Sequence, residues 1–140
     1  IGGLDWKPEV IKLLKGLKIE KNFVFVGKLN HNDFLEEVSR SAVGYAFYTD
    51  EIPWTYFCDS MKIRDFFACG VPVLTNNIHS IADDIKKYNS GMIINNNKTE
   101  LVNTITNIFN NKNNYIKMRK NAIHLAEKND IDVILAELLK

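Results

Sequence analysis

The sequence predicts an α/β fold: a doubly wound parallel sheet with helices on both faces, followed by C-terminal helices. Three observations predict it. Short apolar runs occur without polar alternation, as in Phe23-Val24-Phe25-Val26 and Val71-Pro72-Val73-Leu74. Such runs suit strands buried on both faces, which belong to parallel sheets. Amphipathic segments of helical period separate them, the order expected of right-handed βαβ units. From Lys98 onward the pattern is helical throughout.

Each element has a local reason. Pro8 opens a helix that turns Val10, Ile11, Leu13 and Leu14 toward a core, since the N–H that proline lacks has no partner in a first turn anyway. Phe23-Val24-Phe25-Val26 reads as a buried strand that stops at Gly27. Asn32 is expected to cap a helix running through Ser39, with Phe34, Leu35 and Val38 as its apolar face. Residues 42–48 form a second apolar strand, and a helix spans residues 60–68. Val71-Pro72-Val73-Leu74 is a third strand, with proline tolerated at its start. Residues 81–87 are helical, Met92-Ile93-Ile94 is a short strand, and the last stretch divides into three helices near Asn110 and Asn129.

Composition narrows the function classes. The chain has 140 residues, 46% hydrophobic and 25% charged, enough for one globular core. Its 18 basic and 17 acidic residues leave a formal charge of +1, without the basic excess of a nucleic-acid binder. Cys58 and Cys69 fit neither a disulfide framework nor a zinc site, and read as reduced thiols of a cytoplasmic protein. His31, His79 and His124 are scattered without the spacing of metal ligands, so neither a metal nor a cofactor is expected. No apolar run reaches the length of a membrane span. Ile1-Gly2-Gly3 reads as the end of a strand and its turn, and the expectation is a single domain over residues 1–140, incomplete at its N-terminus. The asparagine tracts at 95–97 and 110–114 read as solvent-facing turns.

In parallel sheets ligands gather beyond the carboxyl ends of the strands. The loops there are residues 2–6, 27–31, 49–59 and 75–80. The longest, 49–59, holds Trp54, Tyr56 and Phe57, either as binding groups or as cover for the sheet edge. It leads into a helix whose free N–H groups and positive dipole end suit a diphosphate. Ser60 can donate its hydroxyl there. Lys62 lies in the first turn, where a cation is unfavourable unless an anion is bound; the simpler reading is an exposed, snorkelling lysine. Asp65 can accept two hydrogen bonds from a ribose diol, or instead pair with Arg64 or Lys62. Gly2 and Gly3 would let a diphosphate approach the backbone, although no third glycine completes a dinucleotide fingerprint. Gly27 leaves room for a base or makes a tight turn. Asp83 and Asp84 read as a solvated helix face.

The run Ser60-Met61-Lys62-Ile63-Arg64-Asp65-Phe66-Phe67-Ala68-Cys69-Gly70-Val71-Pro72-Val73 resembles the signature of retaining glycosyltransferases with the GT-B fold. There a serine and a lysine precede an acidic residue, an aromatic or apolar pair, a small-residue turn with glycine, and Pro-Val. Phe23-Val24-Phe25-Val26-Gly27 is similar to the family strand that ends before the nucleobase site, and Ser90-Gly91-Met92-Ile93 to its later glycine and strand. The resemblance covers nearly the whole chain in order. It implies the Rossmann-like, donor-binding C-terminal half of a GT-B enzyme. Asp65, usually glutamate in the family, would hold the ribose, and Asp59, Ser60 and Met61 would hold the diphosphate through backbone amides. Phe25, Gly27 and Lys28 would lie near the base. The implied reaction is transfer of a sugar from a nucleoside diphosphate to a saccharide or lipid-linked acceptor with retained configuration, without a metal. It belongs to polysaccharide or glycoconjugate synthesis in the bacterial cytoplasm. Lipid-linked acceptors would bring peripheral association with the inner face of the membrane.

Three departures matter. Phe57 stands where many members carry a glutamate that contacts the donor sugar. The arginine and lysine that clamp the diphosphate precede the segment where this chain starts. The acceptor-binding N-terminal domain is absent, so this chain alone is expected to be inactive and no catalytic residue is assigned. The alternatives are half of a GT-B sugar-nucleotide epimerase, or a non-catalytic nucleotide-binding or assembly module. A receiver-like module fails on its acidic pattern, because Asp50 follows a strand without an earlier acidic pair.

Overall fold

The computed structural model describes residues 7–57, 59–78, 80–95 and 97–139. The chain divides into two compact units, Ile1–Glu37 and Val38–Lys140.

In the first unit, α1 (Lys7–Gly16) carries Glu9 in its first turn and Lys15 in its last, the signs that a helix dipole favours. A single 3-10 turn, Glu20–Asn22, follows. The strand expected at residues 23–26 is not formed: the segment joins no ladder, and Val24 is 87% exposed. An apolar run supplies burial energy but no hydrogen-bonding neighbour, and a strand exists only by pairing. The other strand anticipated nearby, ending at Ile1-Gly2-Gly3, lies outside the described residues. α2 (His31–Ser39), whose last two residues belong to the second unit, begins two residues before the start that an Asn32 cap would give. Its cap is Asn30 rather than Asn32, because the Asn30 side-chain oxygen accepts from the Asp33 N–H at 3.0 Å. The position just outside the first turn is the one from which a side chain reaches that N–H.

The second unit alternates strictly. β1 (Gly44–Ala46), α3 (Met61–Ala68), β2 (Val73–Thr75), α4 (Ile81–Tyr88) and β3 (Gly91–Ile93) are followed by α5 (Lys98–Asn110), α6 (Lys112–Lys128) and α7 (Ile131–Leu138). The strands form a parallel sheet in the order β1-β2-β3, with Tyr45 opposite Leu74 and Leu74 opposite Met92. The fold is therefore α/β around an open three-stranded parallel sheet. Both faces of β2 are covered, as a non-alternating strand requires. Val73 packs with Ala46, Ile63 and Phe67 of α3, Ile81 and Ile85 of α4, and Ala122 and Leu125 of α6. Leu74 faces the other way, with Ile94, Ile108 of α5 and Met118 of α6. The reversal of strand order that defines a doubly wound sheet does not occur among the described strands.

The ladders are shorter than the apolar runs. β2 starts at Val73 rather than Val71, because Pro72 has no N–H to donate; its carbonyl still accepts from the Gly44 N–H at 2.8 Å. Asparagine spaces the helices. Asn97 caps α5 by accepting from the N–H groups of Thr99 and Glu100, and Asn111 caps α6 by accepting from Asn114. Asn89 ends α4 in the left-handed region at φ 50°. α3 ends on Gly70 at φ 63°, where the Val71 N–H reaches the Phe66 carbonyl and the Gly70 N–H the Phe67 carbonyl. That double bond is the Schellman closure. No helix among the described residues is long and apolar enough to cross a membrane.

Candidate functional site

Because β1 and β2 are parallel and α3 joins them, α3 must start at the carboxyl edge of the sheet. Ser60 stands at that start. Its backbone is extended (φ −82°, ψ 102°), and its side-chain oxygen accepts from the Ile63 N–H. The Ser60 carbonyl takes the N–H groups of Ile63 and Arg64. The N–H groups of Met61 and Lys62, in the first turn, are the ones that no helical carbonyl can reach. Met61 is 67% exposed, and Lys62 is exposed beside it. An open helix start with a cation in its first turn favours an anion over a neutral ligand.

The expected acidic residues take different roles. Asp59 holds the Arg64 guanidinium, with Oδ2 2.7 Å from Nε. This pair removes Arg64 from Asp65, so the ion pair anticipated as the simpler explanation of Asp65 goes to Asp59 instead. Both partners are partly exposed, and such a pair contributes little to stability. Asp65 is half-buried on α3, and its carboxylate makes no hydrogen bond or ion pair among the described residues. It lines a cleft of ≈ 290 Å³ with Arg64, Phe67, Ala126, Asn129 and Ile131. Its carboxylate also acts on Cys69: burial first, and the Asp65 charge second, hold that thiol above its ordinary pKa.

A second cleft, of ≈ 430 Å³, opens at the carboxyl ends of β1 and β2. Phe47, Tyr48, Thr49, Asp50, Asn76 and Ile78 line it. Asn76 clamps Tyr48 at both main-chain groups, accepting from its N–H at 3.2 Å and donating to its carbonyl at 2.7 Å. The Tyr48 hydroxyl in turn bonds the Ser60 hydroxyl. The sequence places Asn76 in a ligand-side loop and Tyr48 at the end of the strand over residues 42–48, and assigns neither a role in the site. The signal was the position of Asn76 directly after β2, where a side-chain amide can continue a ladder that the backbone has ended.

Asp59, Ser60, Met61 and Lys62 thus gather at one helix start, while Asp65 lies further along α3 on a separate cleft. Phe25, Gly27 and Lys28 belong to the other unit. Phe25 and Gly27 are half-buried, Lys28 is exposed, and Gly27 turns the chain at φ 79°. Gly2 and Gly3 lie outside the described residues, as do Cys58 and His79. Tyr56 is 57% and Phe57 81% exposed, edge to face at 5.2 Å, so these two rings do not cover the sheet edge. The Trp54 side chain is not described.

No protein-family model matches the chain, and no curated protein matches it either. Among the described residues, no three histidine, cysteine or acidic side chains come together as a metal centre. His124 lies on α6 with its ring 6.4 Å from that of Tyr88, consistent with a structural role. Asp83 is exposed in the first turn of α4 and 3.8 Å from Lys86, a solvated face as expected.

Proposed function

We propose that this chain is the donor-binding, Rossmann-like half of a GT-B retaining glycosyltransferase, binding a nucleoside-diphosphate sugar for transfer to a saccharide or lipid-linked acceptor. One observation carries the reading: the helix start at the carboxyl edge of a parallel sheet, built by Ser60, Met61 and Lys62, coincides with the run that resembles the family signature. A diphosphate there would accept hydrogen bonds from the free N–H groups of α3 and neutralise Lys62. As the sugar leaves, negative charge grows on the diphosphate, and dipoles fixed before the reaction stabilise it without reorganising. Asp65, unpartnered on the same helix, is free to accept from a ribose diol. Chemistry on the sugar would require the acceptor-binding domain, so the activity of this chain by itself is donor binding.

The test is a calorimetric or NMR titration with UDP, GDP, ADP and CMP, on the natural chain and on Asp65→Ala. One nucleotide should bind preferentially, and the substitution should weaken it about tenfold, as loss of hydrogen bonds to a charged group does. Binding that survives Asp65→Ala unchanged would remove Asp65 from the site. Failure of all four nucleotides would refute the donor reading for this chain.

A further inference from the structure

We infer that the cleft between β1 and the start of α5 is a subsite for a neutral sugar ring, held on the stacked rings of Tyr45 and Phe47. It stands on residues that the donor-site reading does not use. Successive side chains of a strand point to opposite faces. Gly44 and Ala46 turn toward α3, so Tyr45 and Phe47 share the other face of the strand. There the two rings lie 4.5 Å apart with 16° between their planes, a parallel stack. Phe47 is anchored, because it packs with Leu101 of α5 against the buried cluster of Leu74, Ile94, Ile108 and Met118. Tyr45 is 56% exposed. The stack thus presents a fixed aromatic surface to a cleft of ≈ 300 Å³, whose other walls are Leu101, Asn95, Asn97 and Lys98. That is the small end of the range for ligand pockets and suits a single ring.

The polar wall is built by the cap of α5. The Asn97 side-chain oxygen accepts from the N–H groups of Thr99 and Glu100 at 2.9 and 3.1 Å, and the Glu100 carboxylate reaches back to the Asn95 N–H at 3.0 Å. With its oxygen engaged, the Asn97 amide has its NH₂ group left to donate. The Asn95 side-chain amide, the Lys98 ammonium and the Tyr45 hydroxyl make no hydrogen bond among the described residues. Donors therefore surround an apolar surface. Lys98 and Glu100 stand in the same helical turn with opposite charges, so this wall is close to neutral and favours no anion. A purely apolar ring would cover the donors without offering them acceptors. A pyranose meets both demands. Its axial C–H groups form an apolar face whose slight positive charge suits the negative face of an aromatic ring, and its hydroxyls radiate around the rim as acceptors.

The experiment follows the amide resonances of the natural chain as maltohexaose, cellohexaose, chitohexaose and mannohexaose are added, with adenosine and UDP as comparisons. The expected result is that one or more of the hexaoses moves the resonances of Tyr45, Phe47 and Lys98 together. Tyr45→Ala should then weaken that sugar about tenfold, whereas Tyr45→Phe, which keeps the ring, should stay within roughly twofold of the natural chain. UDP affinity should be the same in all three chains. A chain that binds a hexaose here but no nucleotide would refute the donor reading and leave this subsite standing. If no hexaose moves these resonances, or if Tyr45→Ala binds the sugar as tightly as the natural chain, the inference is overturned. Adenosine moving the same residues more strongly than any hexaose overturns it too, since the stack would then be a platform for a flat aromatic ring. Should Tyr45→Ala not fold, the double variant Asn95→Ala, Lys98→Ala, at two exposed positions outside the sheet, decides by the same comparison, with a roughly tenfold loss expected.

Discussion

Asp65 and Cys69 lie about one turn apart on α3, and the thiol reports on the carboxylate without any ligand. Burial raises the Cys69 pKa and the Asp65 charge raises it further, both by disfavouring the thiolate. The thiolate is the reactive form, so at pH 8 Cys69 should alkylate more slowly than an exposed cysteine. Asp65→Asn removes the second cause, lowers the pKa and should speed labelling, roughly twofold because burial remains the larger cause. The comparison is made in a Cys58→Ala background by mass spectrometry, and an unchanged rate would mean that the Asp65 charge does not reach the thiol. Gly70 makes a stability prediction of the same scale. At φ 63° a side chain strains the backbone, and a Cβ would sit 3.0 Å from the Ile123 Cδ1. Gly70→Ala should cost about 1–2 kcal/mol, most of it conformational because the Ile123 tip can move. Urea denaturation measures it. Gly91 has no such freedom, since a Cβ there would stand 2.1 Å from the Val73 carbonyl oxygen of the neighbouring strand. The Ser90-Gly91-Met92 pattern thus has a packing reason whatever the domain binds.

At the scale of the element, α3 sets two effects of Lys62 against each other. A lysine in a first turn opposes the dipole of the helix, and alanine is a better helix former. Lys62→Ala should therefore stabilise the free chain by roughly 0.3–1 kcal/mol. If Lys62 faces a diphosphate, the same substitution should weaken nucleotide binding. Opposite signs in a thermal melt and a titration are the expected outcome; a lysine that only snorkels would give the first effect alone. Helices were the readable elements of this sequence. Their apolar periods and caps are local, so α3, α5 and α6 lie where the pattern places them, and only the cap of α2 was misassigned by two positions. Strands were readable as buried apolar runs but not as ladders. Residues 42–48 pair over only Gly44–Ala46. Residues 23–26, the most strand-like in composition, join no ladder among the described residues, because pairing depends on a neighbour remote in sequence. The site divides along the same line. Ser60 was legible as a hydroxyl at a helix start, and its role as the cap comes from the structure. Its contact with Tyr48, and the grip of Asn76 on Tyr48 across 28 residues, follow from the register of β1 against β2, which no local pattern encodes.

At the scale of the molecule, the second unit holds a complete core of its own. Every residue of the two buried clusters belongs to it, from Ala46 to Leu125 on one face of the sheet and from Leu74 to Met118 on the other. These clusters include Ile63, Phe67, Val73, Leu74, Ile85 and Met118, each at most 1% exposed. Burying a side chain of this size contributes about 1.5–3 kcal/mol before conformational entropy is subtracted. Among the described residues, α3, α4 and α6 supply the cluster on one face of the sheet and α5 and α6 the cluster on the other. Residues 38–140 should therefore fold alone. The expected outcome is a cooperative thermal transition within roughly 8 °C of the whole chain, corresponding to a stability difference of about 1 kcal/mol, with dispersed amide resonances. A broad transition with collapsed resonances would mean that the sheet depends on residues before 38. The nucleotide titration, repeated on the shorter chain, should then retain the diphosphate affinity that Ser60 and Lys62 supply. Loss of that affinity would mean that the helix start does not bind the anion by itself.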